Sequence, residues 1–100
     1  VAAGFVAILT AELHFPEAGS LKAKRHHLRS ARDTLRSRFG ASVAEVDHHD
    51  LWQRTTLTVA VVARDARGAA ELADGAERWL ASGDWVLTRC ERVLVAPDDD

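Results

Sequence analysis

Two stretches of the chain carry side chains whose types and spacing could do chemistry. The first is residues 21–39, with Lys22, Lys24, Arg25, Arg29, Arg32, Arg36 and Arg38 against a single acid, Asp33. That segment is formally +6 and the remainder −8, so the net charge of −2 conceals a polarised molecule. Arg25, Arg29, Arg32 and Arg36 recur at i, i+4, i+7 and i+11, the spacing that gathers side chains on one side of a helix. A row of guanidinium groups suits phosphate neutralisation, because each contact releases counterions. The bland alternative is a solvated face whose arginine stems cover apolar surface. A basic block in an otherwise acidic chain favours an anionic partner, and RNA in particular, since no major-groove docking motif is present. The expected contacts are Lys22, Lys24, Arg25, Arg29, Arg32 and Arg36, with Trp52 and Arg54 adding a stacking or anchoring edge.

The second stretch is Asp47-His48-His49-Asp50. Two imidazoles and two carboxylates so close together could hold a divalent cation, with His14 as a further ligand. His14, Asp47, His48 and Asp50 would then serve a metal-dependent phosphoesterase. Adjacent residues on a strand point to opposite faces, however, so His48 and His49 do not readily share one metal. The further acidic motifs of such enzymes are absent. A polar hairpin whose aspartates bond turn amides accounts for the same residues.

Other reactive groups add little. Cys90 is the one cysteine, which excludes an internal disulfide and fits a reducing cytoplasm. It reads as a small half-buried strand residue, with a nucleophile as the alternative. His26 and His27 read as solvated groups on the basic helix. The chain has no Gly-rich phosphate loop, nucleophile elbow or cysteine-pair metal site. Nothing in it supports an enzyme or implies a cofactor. Residues 1–10 are apolar without a basic leader and read as a strand rather than a signal peptide. No run reaches the roughly 18 apolar residues of a membrane span.

The elements that must position these groups follow from periodicity. Residues 4–15 alternate, with Phe5, Ala7, Leu9, Ala11, Leu13 and Phe15 on one side and Val6, Ile8, Thr10, Glu12 and His14 on the other, the signature of a half-buried strand. Pro16 and Gly19 end it. Ser20 caps the basic helix, whose apolar stripe is Leu21, Leu28, Ala31, Leu35 and Phe39, and Gly40 terminates it. A strand over 41–47 is expected to turn Ser42, Ala44 and Val46 inward. The turn at 48–51 leads into a β-branched strand over 52–63, with Leu57, Val59 and Val61 inward. Asp65 caps a second helix to residue 81, striped by Ala69, Leu72, Ala73, Ala76 and Leu80 and weakened by Gly68 and Gly75. A final strand occupies 84–95, and 97–100 reads as a polar, disordered acidic tail to the single domain of residues 1–96.

The order β-α-β-β-α-β, with two right-handed crossovers and a central hairpin, predicts a ferredoxin-like α+β sandwich. Its antiparallel sheet runs 4-1-3-2, with both helices on one face. An RNA-recognition motif shares that topology but stacks bases on aromatic residues of its central strands. The corresponding positions here are Val6, Ile8, Thr10, Glu12, Thr56, Thr58, Ala60 and Val62. With no aromatic platform, the open face is not such a motif. Its apolar members need cover, which homodimerisation through the open sheet face would supply.

At Ser20-Leu21-Lys22-Ala23-Lys24-Arg25 and Val43-Ala44-Glu45-Val46-Asp47-His48-His49-Asp50-Leu51-Trp52-Gln53-Arg54 the chain closely resembles the bacterial YlxP-like family, a family of unknown function. Leu9-Thr10-Ala11-Glu12-Leu13-His14 and the strand over 57–62 match as well. The resemblance implies a ferredoxin-like fold. Genes of that family commonly lie beside those for a translation initiation factor and a ribosome-binding maturation factor, which implies a ribosome- or RNA-linked role. Family members often carry Glu where Ala23 stands, completing a capping box, and Gln where His49 stands. The expectation is therefore a cytoplasmic, non-catalytic protein that binds RNA or the small ribosomal subunit through the helix at 21–39. A homodimeric protein-interaction module is the alternative.

Overall fold

In the computed structural model, which describes residues 3–96, six elements follow one another. They are β1 (Phe5–His14), α1 (Leu21–Phe39), β2 (Ser42–Asp47), β3 (Arg54–Ala63), α2 (Ala66–Ala81) and β4 (Val86–Val95). The sheet order is β2-β3-β1-β4, and every neighbouring pair is antiparallel. This is the ferredoxin-like α+β sandwich, with its two most apolar strands in the centre. The tail expected at 97–100 lies outside the described residues.

Alternation along β1 and β3 decides what lies between sheet and helices. Ala7, Leu9, Ala11 and Leu13 pair across the sheet with Val61, Val59, Leu57 and Thr55, and all are buried. Over them lie Leu28, Ala31 and Leu35 of α1 and Ala69, Ala73, Ala76 and Leu80 of α2, in one continuous core. The small α2 stripe lets that helix approach the sheet closely, as ridge-and-groove packing favours.

Both helices end as their local chemistry directs. Ser20 Oγ accepts from the Ala23 amide at 3.1 Å, and Asp65 Oδ1 accepts from Gly68 at 2.7 Å, so each helix has an N-cap. Gly40 takes the left-handed conformation with φ 63°, and its amide donates to the Arg36 carbonyl at 3.0 Å. Gly75, in the middle of α2, seats the Phe39 ring of α1. A Cβ there would come within 2.8 Å of Phe39 Cε1.

One cluster escaped the periodicity. Trp85 is buried, and its indole Nε1 donates to the Leu80 carbonyl at 2.7 Å, fastening the end of α2 to the start of β4. Phe15 and Trp79 meet it edge-on with ring centroids 6.0 and 5.5 Å away. His27 is half-buried and stacks on Phe15 at 5.5 Å rather than standing free in solvent. An isolated aromatic beyond the end of a helix carries no periodic signal, so only the chain reversal at 82–85 shows what it packs on.

β2 departs from expectation. Val43 and Glu45 face the helices, and Ser42, Ala44 and Val46 face away or outward. Glu45 pairs with Leu57 and Asp47 with Thr56, which leaves Val46 as the extra residue of a bulge. Six residues of mixed polarity do not settle their own register, whereas a partner for Glu45 inside the molecule does. β3 starts at Arg54, so Trp52 belongs to the turn and not to the strand. A second register shift, between Glu12 and Leu13, leaves Thr88 of β4 as the extra residue; its hydroxyl donates to the Glu12 carbonyl at 3.1 Å.

Truncating Leu35, fully buried in the C-terminal half of α1, to alanine should cost about 2–5 kcal/mol. Ser20→Ala should cost about 1 kcal/mol. Urea unfolding followed by circular dichroism measures both, and near-equal losses would contradict this division between core and cap.

Candidate nucleic-acid interface

The basic helix does not offer all its charges to solvent. Lys24 occupies the stripe position four residues before Leu28, and its side chain is 1% exposed. Its Nζ lies 3.0 Å from Glu45 Oε2 and donates to the His48 carbonyl at 2.5 Å. Thr55 Oγ1 donates to the same Glu45 oxygen at 2.5 Å. Lys24 is therefore not the phosphate contact expected of it: it is an internal cation joining α1 to β2 and the following turn. A bare buried ammonium would be costly, so a carboxylate and a carbonyl must reach it. His48 meets that need in a left-handed conformation at φ 64°, the one such non-glycine among the described residues. Histidine tolerates this region better than most side chains. The Asp47 carboxylate accepts the His48 amide at 2.7 Å, and the Leu51 amide closes the turn onto the His48 carbonyl at 3.2 Å.

Gln53 ties down the rest of the turn. Its side-chain amide donates to the carbonyls of Pro16 and Ala18, both at 3.3 Å. The Phe15 amide donates to the Gln53 carbonyl at 2.9 Å. These bonds hold the turn against the segment that leads from β1 into α1.

The turn leaves an open depression of about 440 Å³ lined by His14, Asp50, Leu51, Trp52, Gln53 and Arg54. Trp52 is 53% exposed, and Arg54 is exposed beside it. His14 and Asp50 share this depression, whereas Asp47 and His48 are turned toward each other, Nδ1 to Oδ1 at 3.9 Å. The four candidate ligands thus do not converge. Among the described residues no group of three or more His, Cys, Asp or Glu is disposed to hold a metal ion.

Along α1, Lys22, Arg25, Arg29, Arg36 and Arg38 are exposed. Arg32 is half-buried, with its Nε shielded from solvent and without a hydrogen-bond partner. None of these six forms an ion pair within 4.0 Å among the described residues, whereas Arg64, Arg67, Arg89 and Arg92 all pair with acids elsewhere. The protein thus leaves the helix's outer face uncompensated. From Arg25 to Arg36 the row runs about 16 Å along the helix axis.

The electrostatics of the interior are consistent with this division. For Glu45, burial raises the carboxyl pKa, but the Thr55 and Lys24 hydrogen bonds and the charges of Lys24 and His49 outweigh it, leaving the value lowered. The Cys90 thiol is pushed up to about 11 by burial and by the Glu77 carboxylate. It stays protonated at neutral pH and is a poor nucleophile.

The molecule is a ferredoxin-like sandwich with a basic helix and a tryptophan-bearing turn beside that helix's start. The chain is a member of the DUF503 family, described as a protein of unknown function, whose profile matches residues 6–92. It is 39% identical over 46 residues to the uncharacterized protein YlxP of Bacillus subtilis (strain 168). That alignment covers 46% of this chain and half the length of the relative. Among the described residues no helix is long and apolar enough to cross a membrane.

Two outcomes test the interior. Glu45→Ala alone strands the Lys24 ammonium and should cost about 3 kcal/mol, whereas Lys24→Met with Glu45→Leu should recover most of that loss. The folded carboxyl titrates below its ordinary 4.5, so the stabilisation is complete above that pH and fades as pH falls through the folded value. Urea midpoints measured on acidification should therefore drop more steeply for the wild type than for the paired variant. Separately, iodoacetamide should alkylate Cys90 slowly at pH 8 and faster as pH approaches 11. Rapid labelling at neutral pH would mean that the thiol is activated.

Proposed function

We propose that the protein is a small RNA- or ribosome-associated binding protein, non-catalytic and cytoplasmic, acting in ribosome maturation or translation. The observation that carries this reading is the outer face of α1, where Lys22, Arg25, Arg29, Arg32 and Arg36 form no ion pair among the described residues. Arg64, Arg67, Arg89 and Arg92 elsewhere pair with acids, whereas this row has no such pair, which keeps a positive stripe for an external polyanion. Trp52 and Arg54 stand at the turn fastened to the same helix start, where a base can stack beside a bound phosphate. Phosphate contacts of this kind position a nucleic acid without reading its sequence. RNA or the small ribosomal subunit is the partner that fits.

A second reading rests on the open sheet face. Val6 lies between Val62 and Val95, and Ile8 between Ala60 and Val93, so the paired strands bring six apolar side chains together. Val62 is 66% exposed and Val93 58%. A second copy laid on this patch would cover it and make the protein a homodimeric interaction module.

Arg29→Glu with Arg36→Glu should weaken binding of a labelled RNA oligonucleotide and of small ribosomal subunits at least tenfold. It should also reduce the salt slope by about one per lost contact. Fluorescence anisotropy over a salt series and cosedimentation measure these, and unchanged binding by the folded variant would refute the reading. Light scattering with Val62→Glu checks the dimer: the wild type should have twice the monomer mass and the variant should not.

A further inference from the structure

The end of α1 remote from the Trp52 turn carries a second recess that the reading above does not use. Arg38, Phe39, Gly75, Arg78, Trp79 and Ser82 line a cavity of about 370 Å³ between the end of α1 and the second half of α2. The Arg38 guanidinium lies over the Phe39 ring, 5.3 Å from its centroid. Phe39 and Trp79 are half-buried, so each rests on the core and keeps part of its surface free.

Arg78 is left without a partner for a definite reason. The acids nearest to it on α2, Asp74 and Glu77, are engaged by Arg92 of β4 at 2.9 and 3.3 Å. Neither Arg38 nor Arg78 forms an ion pair among the described residues, and both are exposed. The recess thus combines two guanidinium groups without an ion pair, one from each helix and that of Arg38 resting on Phe39, with two aromatic surfaces. Its depth depends on Gly75, where a Cβ would press on Phe39.

We propose that this recess receives one unpaired nucleotide of a single-stranded RNA whose backbone follows the basic row of α1, a proposal that rests on the RNA-binding reading of that row. The base lies against Phe39 and Trp79, and Arg38 and Arg78 hold the flanking phosphates. Aromatic faces accept any base and guanidinium groups bind any phosphate, so the recess selects for an unpaired base rather than for sequence. A duplex keeps its bases stacked and paired and has none to insert. Arg38 follows Arg36 by two residues, about 200° around the helix, so a strand that starts at the Trp52 turn and follows the row reaches this recess by crossing over the end of α1.

Anisotropy titrations with a single-stranded RNA, an abasic strand of equal length and an RNA duplex test the proposal. The wild type should bind the base-bearing strand roughly tenfold more tightly than the abasic one and prefer it to the duplex. Arg38→Gln with Arg78→Gln, two surface changes that leave the core intact, should bring the ratio of base-bearing to abasic affinity close to one, as should Phe39→Leu. Arg25→Gln with Arg29→Gln removes the same charge from the row, and should weaken both strands while keeping the ratio. A ratio that survives Arg38→Gln with Arg78→Gln overturns the proposal. Equal wild-type affinity for base-bearing and abasic strands overturns it too, but leaves the basic row as a binding face. Binding to none of the three ligands overturns both, and displacement of RNA by polyglutamate at equal charge would assign the recess to an acidic protein segment instead.

Discussion

A buried ammonium group sets the constraint around which this molecule is built. Lys24 lies on the apolar stripe of the basic helix, where four methylenes pack well but the charge has no water. The fold answers with Glu45 from β2, shared with Thr55 of β3, and with the carbonyl of His48. Each answer has a structural consequence. Glu45 must face the helices, so β2 takes the register opposite to the one that would turn Ala44 and Val46 inward, and a bulge at Val46 restores the pairing beyond it. The His48 carbonyl must turn inward, so the backbone there adopts a left-handed conformation that few side chains accept. The two strings of residues that resemble the YlxP-like family are therefore one device seen in two places, because Lys24 of the first meets Glu45 and His48 of the second.

That device separates structural from available charge. A basic helix read only by its spacing offers every lysine and arginine as a contact. Once Lys24 is committed inward, the remaining cations form a cleaner outer row, with the turn at 48–53 held beside its start. Gln53 contributes as well, since its amide bonds to Pro16 and Ala18 keep Trp52 and Arg54 at that end. The histidine and aspartate cluster, which on paper suggests metal chemistry, is largely occupied with shaping this turn: Asp47 caps an amide and His48 supplies a carbonyl.

The free basic face and the paired acids elsewhere are two sides of one distribution. Arg92 draws Asp74 and Glu77 toward β4, Arg67 holds Glu71 and Arg89 holds Glu91. Such exposed pairs contribute little stability each. Their effect is on the potential, since they partly neutralise the acids of α2 and β4, whereas the basic row of α1 forms no ion pair among the described residues. Salt would screen that potential over roughly 10 Å at 0.1 M, so any partner held by it should be gained or lost with ionic strength.

Periodicity and capping chemistry were enough to determine the six elements, their order, both N-caps, the glycine stop of α1 and the assignment of β1 and β3 to the centre of the sheet. Those features depend on neighbours within a few residues, or on an alternation long enough to leave one solution. The concentration of charge on α1 was legible for the same reason. What only the tertiary structure decided involves residues that meet across the fold. Lys24 was indistinguishable by type from Lys22, because only the arrival of Glu45 makes its burial tolerable. β2 was too short and too mixed to declare its inward face. Trp85 had no period to betray its place under Leu80, and Arg38 and Arg78, forty residues apart in the chain, share a recess only because the end of α1 packs against the second half of α2.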